Sequence, residues 1–379
     1  MKKVKDILLD GFWIMPSTPQ FVKNGEIPYI TSKNIKIGKI DFSNVQYISK
    51  NDFETISQNR PIKVKDMLIS MIGTLGNIAT VKESDGMFYG QNMYLLRLNF
   101  EIINQEYFYY FFNSDKVKKH IESKKNKSTQ GYLKANHIED IEIPLPSLEE
   151  QKEIADRLDK VSSLIEKRKT QLSKLDQLIK SRFIEMFGDP KYNKRNLVKI
   201  GEIGALTSGG TPSRAMPEYF EGDIRWYSAG ELNSLYLPDS VEHISEMALQ
   251  QSSAKLFNKG TLMIGMYDTA AFKMGILTED SSSNQACANL NPKQGYNIVW
   301  LYYLFDIMKP IFLQERQGVR QKNLSLSKIK EFEVPFAPFE LQNQFAAFVE
   351  QTDRAKLAIQ KSIDKLETLK KSLMQQYFG

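Results

Sequence analysis

The chain repeats itself. Residues 138–151, IEDIEIPLPSLEEQ, align without a gap to residues 329–342, IKEFEVPFAPFELQ, at an offset of 191 positions. The same register continues to Phe187-Gly188 opposite Phe378-Gly379. Because an internal repeat fixes an architecture before any motif is considered, the sequence predicts two copies of one building block. A length of 379 residues is enough for two domains, each with its own core.

The closing part of each copy has the spacing of a coiled coil. Seam residues recur at alternating intervals of four and three, and two arginines interrupt the apolar series in the first copy. Ser147 and Glu150 form a capping box before this segment, and Gly188-Asp189-Pro190 stops it. The apolar members of the predicted seam are Ile154, Leu158, Val161, Ile165, Leu172, Leu175, Ile179, Phe345, Val349, Ile359, Ile363, Leu366 and Leu373.

The opening part of each copy has the pattern of a mixed domain. Short β-type runs such as IPYIT (27–31), MLISMIG (67–73), NMYLLRL (92–98) and TLMIGMY (261–267) lie between turn residues. The aromatic runs YFYYFF (107–112) and WLYYLF (300–305) predict one helix in each domain. The predicted class is α+β, with four segments: domain 1 at 1–146, helix 1 at 147–188, domain 2 at 189–336 and helix 2 at 337–379.

Connectivity predicts the direction of the two long helices. Domain 2 links the end of helix 1 to the start of helix 2, and an antiparallel pair brings those two ends together. Each helix would run roughly 50 Å at 1.5 Å per residue. The expected molecule is a pseudo-twofold arrangement, with two globular domains separated by an antiparallel coiled coil. Such a shape suits a DNA target with two separated half-sites.

Composition narrows the class of protein. No stretch of about 18 apolar residues is present, and Asp6 and Asp10 interrupt the start where a signal peptide would be apolar. We therefore expect a cytoplasmic protein that does not enter a membrane. The lone Cys287 fits this expectation and offers no disulfide framework. The net charge of +6 is compatible with a polyanionic partner but does not demand one.

These features resemble the specificity subunits of type I restriction-modification systems over the entire chain. The resemblance is carried by IPLPSLEEQ at 143–151, by its repeat VPFAPFELQ at 334–342 and by the two Phe-Gly endings. It implies that residues 1 to about 146 and about 190 to 336 are target-recognition domains. Each would read one half of a bipartite, asymmetric site in double-stranded DNA, with the long helices setting the spacer between the halves.

The resemblance also implies a set of partners. Two methyltransferase (modification) subunits would dock on this chain and methylate adenines, and restriction subunits would join them to cleave unmethylated DNA. The chain itself would be non-catalytic and would hold no cofactor. S-adenosylmethionine, ATP and magnesium would be used by the partner subunits.

Both domains offer residues suited to contact DNA, which needs cations for phosphates and planar polar groups for base edges. A basic segment precedes the last strand of each domain, with Lys124, Lys125, Lys127, Ser128 and Gln130 in the first and Arg316, Arg320 and Gln321 in the second. Such a run is more often a solvated surface, but its recurrence at the same point favours DNA binding. Further polar candidates, for which an ordinary turn or capping role is an equal alternative, are Thr31, Ser32, Lys33, Asn34, Thr74, Asn77, Gln91, Asn92, Ser228, Asp268, Thr269, Asn284 and Gln285.

Catalytic motifs are missing from the sequence. There is no phosphate-binding G-x-x-x-x-G-K-[ST] segment, and Ser208-Gly209-Gly210-Thr211-Pro212 is interpreted as a loop. Three widely spaced histidines and one cysteine support neither a zinc cluster nor a Cys/His nucleophile. The competing hypothesis is a scaffolding protein whose coiled coil mediates self-association and whose domains bind proteins. A steep salt dependence of binding would distinguish a DNA-binding protein from such a scaffold.

Overall fold

The computed structural model divides into two compact units. Unit 1 comprises Met1–Arg168 and Ser362–Gly379, and unit 2 comprises Lys169–Lys361. Each unit therefore contains one domain and a part of each long helix. The residues that the structure describes are 1–23, 25–124, 131–316 and 323–379.

Unit 1 begins with a domain of mixed helices and strands. Its elements are β1 Lys2–Lys3, β2 Leu8–Ile14, β3 Ile27–Thr31, β4 Ile35–Lys36, β5 Lys39–Ile40, β6 Gln46–Ile48, α1 Lys50–Ser57, β7 Met67–Ser70, β8 Ile78–Thr80, β9 Tyr89–Gln91, β10 Met93–Leu98, α2 Gln105–Phe112, α3 Asp115–Ser123, α4 Asn136–Glu139 and β11 Glu142–Ile143. The first long helix, α5 Leu148–Phe187, follows.

Unit 2 repeats this plan. Its elements are β12 Leu197–Lys199, α6 Ile200–Ile203, β13 Gly204–Ser208, β14 Ile224–Tyr227, β15 Glu242–Ile244, α7 Glu246–Gln251, β16 Leu262–Gly265, β17 Met274–Ile276, β18 Ser282–Ser283, β19 Cys287–Pro292, α8 Ile298–Phe312, α9 Leu326–Glu331 and β20 Glu333–Pro335. The second long helix is α10 Phe339–Phe378. Within the described ranges, no helix has the length and apolar character needed to cross a membrane.

Sheet topology is the same in the two units. The main sheet has the order β2-β10-β7-β8 in unit 1 and β13-β19-β16-β17 in unit 2. A smaller sheet has the order β6-β3-β9 in unit 1 and β15-β14-β18 in unit 2, with one antiparallel and one parallel pairing in each. The repeat therefore extends through both domains, and the predicted α+β class is confirmed.

The aromatic runs form helices, as the sequence predicts. Asn104 caps α2 by accepting a hydrogen bond from the Tyr107 N–H, and Asn297 caps α8 by accepting from the Val299 and Trp300 N–H groups. The buried faces of both helices lie in the main apolar cores of their units. Each domain thus offers an aromatic helix on which a long helix packs.

The two Phe-Gly endings have one structural role in both units. In unit 1 the Phe378 ring lies edge-on to Tyr107, with 5.2 Å between ring centroids. In unit 2 the Phe187 ring lies edge-on to Trp300 at 6.0 Å. Each repeated phenylalanine therefore fastens the end of a long helix to the aromatic helix of a domain. Gly188 then ends α5 with a left-handed φ of 75°, a conformation that glycine adopts without strain.

Segments of the long helices pack antiparallel within unit 2. The Lys356 ammonium lies 2.8 Å from an Asp176 carboxylate oxygen, and the Phe345 ring lies 5.2 Å from Phe183. Rising numbers on α5 thus meet falling numbers on α10. In unit 1, Arg157 of α5 donates to the Tyr377 hydroxyl of α10 at 3.3 Å.

The heptad positions fall into two burial classes. Phe183 is fully buried although it lies outside the predicted seam, because it packs against Trp300 of the domain as well as against α10. The buried seam residues are Leu158, Val161, Ile165, Ile179, Phe345, Val349 and Ile363. The partly buried ones are Ile154, Leu172, Leu175, Ile359, Leu366 and Leu373.

A buried glutamine ties the first long helix to its domain. The Gln151 side chain is 0% exposed, and its carbonyl oxygen accepts from the Asn104 N–H at 2.8 Å. Its amide nitrogen donates to the Ile102 carbonyl at 3.1 Å and to the Pro146 carbonyl at 2.9 Å. One side chain therefore satisfies three backbone groups at the junction of domain and helix.

The second long helix has the equivalent glutamine. Gln342 is also 0% exposed; it accepts from the Asn297 N–H at 2.8 Å and donates to the Gly295 and Ala337 carbonyls at 3.3 and 2.7 Å. The two glutamines occupy the same position of the 14-residue repeat. The need to satisfy these buried backbone groups therefore explains why glutamine recurs at this position of the repeat.

Replacing either glutamine by leucine is expected to destabilise its unit. Gln342→Leu leaves one backbone N–H and two carbonyls in a buried place without their partner, which costs about 3 kcal/mol. Urea or thermal denaturation measures the effect, and Gln151→Leu is expected to behave alike. Gln344→Leu, at an exposed position of the same helix, is the matched control. Equal stability of Gln342→Leu and Gln344→Leu would contradict the role given to Gln342 as the partner of three buried backbone groups.

Candidate nucleic-acid interface

Polar residues of unit 1 converge where three strands end. β3 and β9 are parallel with Thr31 opposite Gln91, so their carboxyl ends are adjacent. The segment after β7 joins them, because the Met71 N–H donates to the Asn92 carbonyl at 3.4 Å. We call this region strand-end face 1, and it comprises residues 31–34, 71–77, 91–92 and 131–133.

Ser32 lies at the centre of strand-end face 1. It is only 3% exposed, and its hydroxyl donates to the Asn92 carbonyl. The same oxygen accepts from the Met71 and Ile72 N–H groups at 3.0 and 3.3 Å. With its hydrogen bonds made inside the protein, Ser32 holds the three segments together.

Three other candidates of this face also bond to the protein. The Asn34 side chain accepts from the Thr31 N–H at 2.9 Å and donates to the Asp41 carbonyl at 2.8 Å, and Asn77 donates to the Ile35 carbonyl at 3.0 Å. The Gln91 side-chain oxygen accepts from the Tyr29 hydroxyl at 3.4 Å. Asn34 therefore has the local capping role weighed for it, whereas Asn77 and Gln91 bond to residues far away in the chain. Lys33 and Thr74 of the same face are exposed.

The residues that follow the basic segment of domain 1 in sequence belong to this face. The Leu133 N–H donates to the Met71 carbonyl at 3.0 Å, and Tyr132 forms a β-bridge with Ile72. Lys124, on the other side of the segment, is exposed at the end of α3. The candidates Lys125, Lys127, Ser128 and Gln130 lie outside the described residues.

Unit 2 builds the same face. β14 and β18 are parallel with Tyr227 opposite Ser283, and the Met266 N–H donates to the Ala286 carbonyl at 2.9 Å. The Leu324 N–H donates to the Met266 carbonyl at 2.8 Å, which reproduces the bond from Leu133 to Met71 in unit 1. We call this region strand-end face 2, and it comprises residues 227–231, 266–270, 283–286 and 323–325.

The candidates of strand-end face 2 again divide by their hydrogen bonds. Ser228 begins a short helical turn, and its N–H and hydroxyl donate to the Glu231 carboxylate at 2.8 and 2.7 Å. The Asn284 side chain accepts from the Ala286 N–H at 3.0 Å. Asp268, Thr269 and Gln285 have exposed side chains.

Backbone geometry presents Asp268 outward. Its φ of 46° is left-handed, and its N–H donates to the Asn323 side-chain oxygen at 3.0 Å. Arg316 stands apart from the face, where its Nε donates to the Leu313 carbonyl at 3.0 Å. Arg320 and Gln321 lie outside the described residues.

Cys287, at the edge of strand-end face 2, is fully buried. Its thiol donates to the Asn284 side-chain oxygen at 3.4 Å. Burial raises the pKa of this thiol to about 12, so it stays protonated at neutral pH and is a poor nucleophile. In the part of the chain that the structure describes, no three His, Cys, Asp or Glu side chains cluster as metal ligands.

Two cations that the sequence analysis did not single out lie beside these faces. The Arg60 guanidinium donates to the Trp13 carbonyl at 3.0 Å in unit 1, and the Lys255 ammonium donates to the Ser208 carbonyl at 3.1 Å in unit 2. Neither belongs to a basic run, and the sequences of the loops that carry them differ. Each nevertheless lies seven residues before the strand that follows it, Arg60 before Met67 of β7 and Lys255 before Leu262 of β16.

Comparison with known protein families finds one family model that matches each of the two repeats. A family model described as the type I restriction modification DNA specificity domain matches residues 2–177 and, in a second copy, residues 193–370. The chain belongs to this family. The resemblance drawn from the repeated helix openings is thereby confirmed, and each unit contains the larger part of one specificity domain.

Similar proteins carry the same description. The specificity subunit of the type I restriction enzyme MjaIX from Methanocaldococcus jannaschii is 29% identical over 185 residues, which are 48% of this chain and 43% of that protein. The match thus covers less than half of that relative's length. The candidate MjaX specificity subunit of the same archaeon is 24% identical over 371 residues, covering 92% of this chain and 85% of the relative.

Solved structures share the fold of the specificity domains. A chain from a study of complex assembly and conformational transition of a type I restriction-modification system superposes with a TM-score of 0.62 at 18% identity, covering 100% of this chain and 96% of the other. The type I restriction-modification S subunit from M. genitalium gives a TM-score of 0.58 at 16% identity, covering 100% and 95%. At these identities the likeness extends to the fold alone.

Proposed function

We propose that this chain reads a bipartite, asymmetric sequence in double-stranded DNA, with one half read by each domain. The observation that carries the proposal is that strand-end faces 1 and 2 have one backbone design and different exposed side chains. A shared scaffold with different surface residues is what two readers of unlike half-sites require. Membership of the DNA specificity-domain family supports the same reading.

The contacts of the faces suggest three roles for their residues: holding the backbone, contacting bases and contacting phosphates. Ser32, Asn34 and Ser228 hold the backbone of the two faces in place. The exposed Thr269 and Gln285 are suited to base edges, and the Asp268 carboxylate can accept a hydrogen bond from a cytosine amino group. Lys33 and the basic segments at 124–130 and 316–322 supply cations for phosphates, which position the protein without reading sequence.

The chain acts as the address-reading subunit of a larger complex in this proposal. Two adenine methyltransferase subunits and the restriction subunits assemble on it in the cytoplasm, and the long helices set the spacer. S-adenosylmethionine, ATP and magnesium serve those partners, while this chain catalyses nothing. The names of its similar proteins support this division.

The alternative is a scaffold whose domains bind proteins, and salt dependence separates the two. We expect the affinity of the full chain for its target duplex, alone or with its methyltransferase subunits, to fall steeply as salt rises. The expected slope of log affinity against log salt is about −0.9 for each phosphate contacted. A slope near zero, or no DNA binding in the complex, would contradict the proposal and favour the scaffold.

A further inference from the structure

Arg60 and Lys255 occupy equivalent places in the two units. Trp13 lies opposite Tyr94 on β10, and Ser208 lies opposite Ala288 on β19. Tyr94 in turn lies opposite Ile69 of β7, and Ala288 lies opposite Ile264 of β16. The carbonyls of Trp13 and Ser208 therefore hold the same position in the main sheet, and a cation donates to each of them.

The segments that carry these cations are also equivalent. Arg60 lies between α1 and β7, and Lys255 lies between α7 and β16. Both stand seven residues before the first residue of the following strand, although the loop sequences between cation and strand differ. The recurrence of a cation on the same carbonyl is thus an observation about the fold, independent of the basic runs at 124–130 and 316–322.

Neither cation is neutralised inside the protein. Among the described residues, no carboxylate oxygen lies within 4.0 Å of the Arg60 or Lys255 side-chain nitrogens. Arg214 of unit 2 shows the contrast, since it forms a two-point ion pair with Glu242, with a distance of 2.8 Å for Nη2. The Arg60 guanidinium also lies over the Phe12 ring, 5.4 Å from its centroid, which uses none of its N–H groups. A carbonyl uses one N–H of each cation, so the ammonium retains two donors and the guanidinium four.

Both cations border the strand-end faces. In unit 1 the residue after Trp13 is Ile14, whose carbonyl accepts from the Asn92 N–H at 2.9 Å. In unit 2, Lys255 lines an open cavity of about 690 Å³ together with Thr211 and Gln285. The Thr211 hydroxyl donates to the Gln285 side-chain oxygen, which leaves the amide group of Gln285 to offer its hydrogens. The cavity of unit 2 therefore brings the Lys255 ammonium to the same opening as Gln285, one of the exposed base-reading candidates.

We propose that Arg60 and Lys255 each bind one phosphate of the DNA backbone flanking the half-site of its own unit. This inference rests on the proposed function and assigns residues that lie outside the basic segments. An uncompensated cation, held on a rigid sheet carbonyl beside each face, is suited to fix the register of the duplex. Because phosphates are alike in every sequence, these contacts contribute affinity and salt dependence without specificity.

The test is a salt titration of DNA affinity with Arg60→Gln and Lys255→Gln in the full chain, assembled with its methyltransferase subunits. Each variant is expected to reduce the magnitude of the salt slope by about 0.9 and to weaken binding several-fold at every sequence. The methylated motif is expected to stay unchanged. Arg60→Lys and Lys255→Arg, which retain the charge, are expected to keep most of the wild-type slope.

Matched controls come from lysines further along the same two loops. Lys63 and Lys259 are exposed, but the Trp13 and Ser208 carbonyls that hold a cation beside each face accept from Arg60 and Lys255. Lys63→Gln and Lys259→Gln are expected to leave the slope unaltered. Melting temperatures of all variants check that the exposed substitutions leave the fold intact.

Duplexes with single neutral methylphosphonates locate the contacts. One modification beside each half-site is expected to weaken wild-type binding and to have no further effect on the variant of that unit, which is the behaviour of a coupled pair. Wild-type slopes in both glutamine variants would overturn the inference while leaving the proposed function intact. Absence of salt-dependent DNA binding by the wild-type complex would instead overturn the proposed function, and this inference with it.

Discussion

Exchanging residues 1–146 for the matching segment of another specificity domain is expected to replace one half of the methylated motif and to leave the other half unchanged. Strand-end face 1 lies entirely within residues 31–133, and strand-end face 2 lies entirely within residues 227–325. The exchange therefore replaces one complete reading surface. Sequencing of methylated adenines measures both halves of the motif at once.

The structure sets the conditions for this exchange. The incoming segment has to supply an N–H to Gln151 where Asn104 now stands, and an aromatic ring to Phe378 where Tyr107 now stands. A replacement domain that supplies both groups is expected to stay attached to the long helices. The reciprocal exchange of residues 189–336 is the control and is expected to change only the other half. A change in both halves after either exchange would contradict independent reading.

Lengthening both long helices by seven residues is expected to lengthen the unspecified spacer of the target. Insertions after Arg168 and after Lys361 fall at the boundary of the two units in each helix, so contacts inside each unit are kept. Seven residues add about 10 Å of helix, which corresponds to roughly three base pairs at 3.4 Å each. Since a heptad is close to two helical turns, the apolar stripe stays nearly in line.

An insertion of five residues at the same two points is the matched control. It turns the following stripe by about 140° at 3.6 residues per turn, and loss of the assembled protein is the expected result. Methylation with the original spacer after the seven-residue insertion would show that the helices do not set the spacing. Methylation at several spacings would show that they set it only loosely.

Much of the fold could be predicted because the two copies are most similar in sequence where side chains make contacts that the fold requires. Gln151 and Gln342 each satisfy three backbone groups, and Phe187 and Phe378 each pack on an aromatic helix. These contacts constrain residue type, so they persist in both copies and are visible in one sequence. The domains kept their topology while their sequences diverged, and the register of their sheets could not be read from the chain.

The helix seam illustrates the limit of a periodic pattern. The heptad spacing assigns Arg182, one of the two arginines that interrupt the apolar series, to the seam. In the structure its guanidinium lies 5.9 Å from the centre of the Phe348 ring, and the neighbouring Phe183 is the residue that is buried. A heptad pattern describes the buried residues of a helix that packs only on another helix. Where α5 also packs against a domain, its buried face is wider, and the heptad pattern no longer predicts which residues are buried.

The candidate interface was predictable in composition but not in geometry. Ser32 and Lys33 are neighbours, and only the structure shows that one is enclosed by hydrogen bonds while the other is exposed. Arg60 and Lys255 lie equally far before β7 and β16, but neither belongs to a basic run. Only the β-strand pairing shows that the carbonyls to which they donate are equivalent.

Methylation in the native host shows whether this chain supplies the address for the adenine methyltransferase. Adenine methylation is mapped across the genome of the native host with and without the gene for this chain. Loss of one gapped, two-part motif on deletion, with return on re-expression, is the predicted result. A host that methylates such a motif equally well without the chain would contradict the claim.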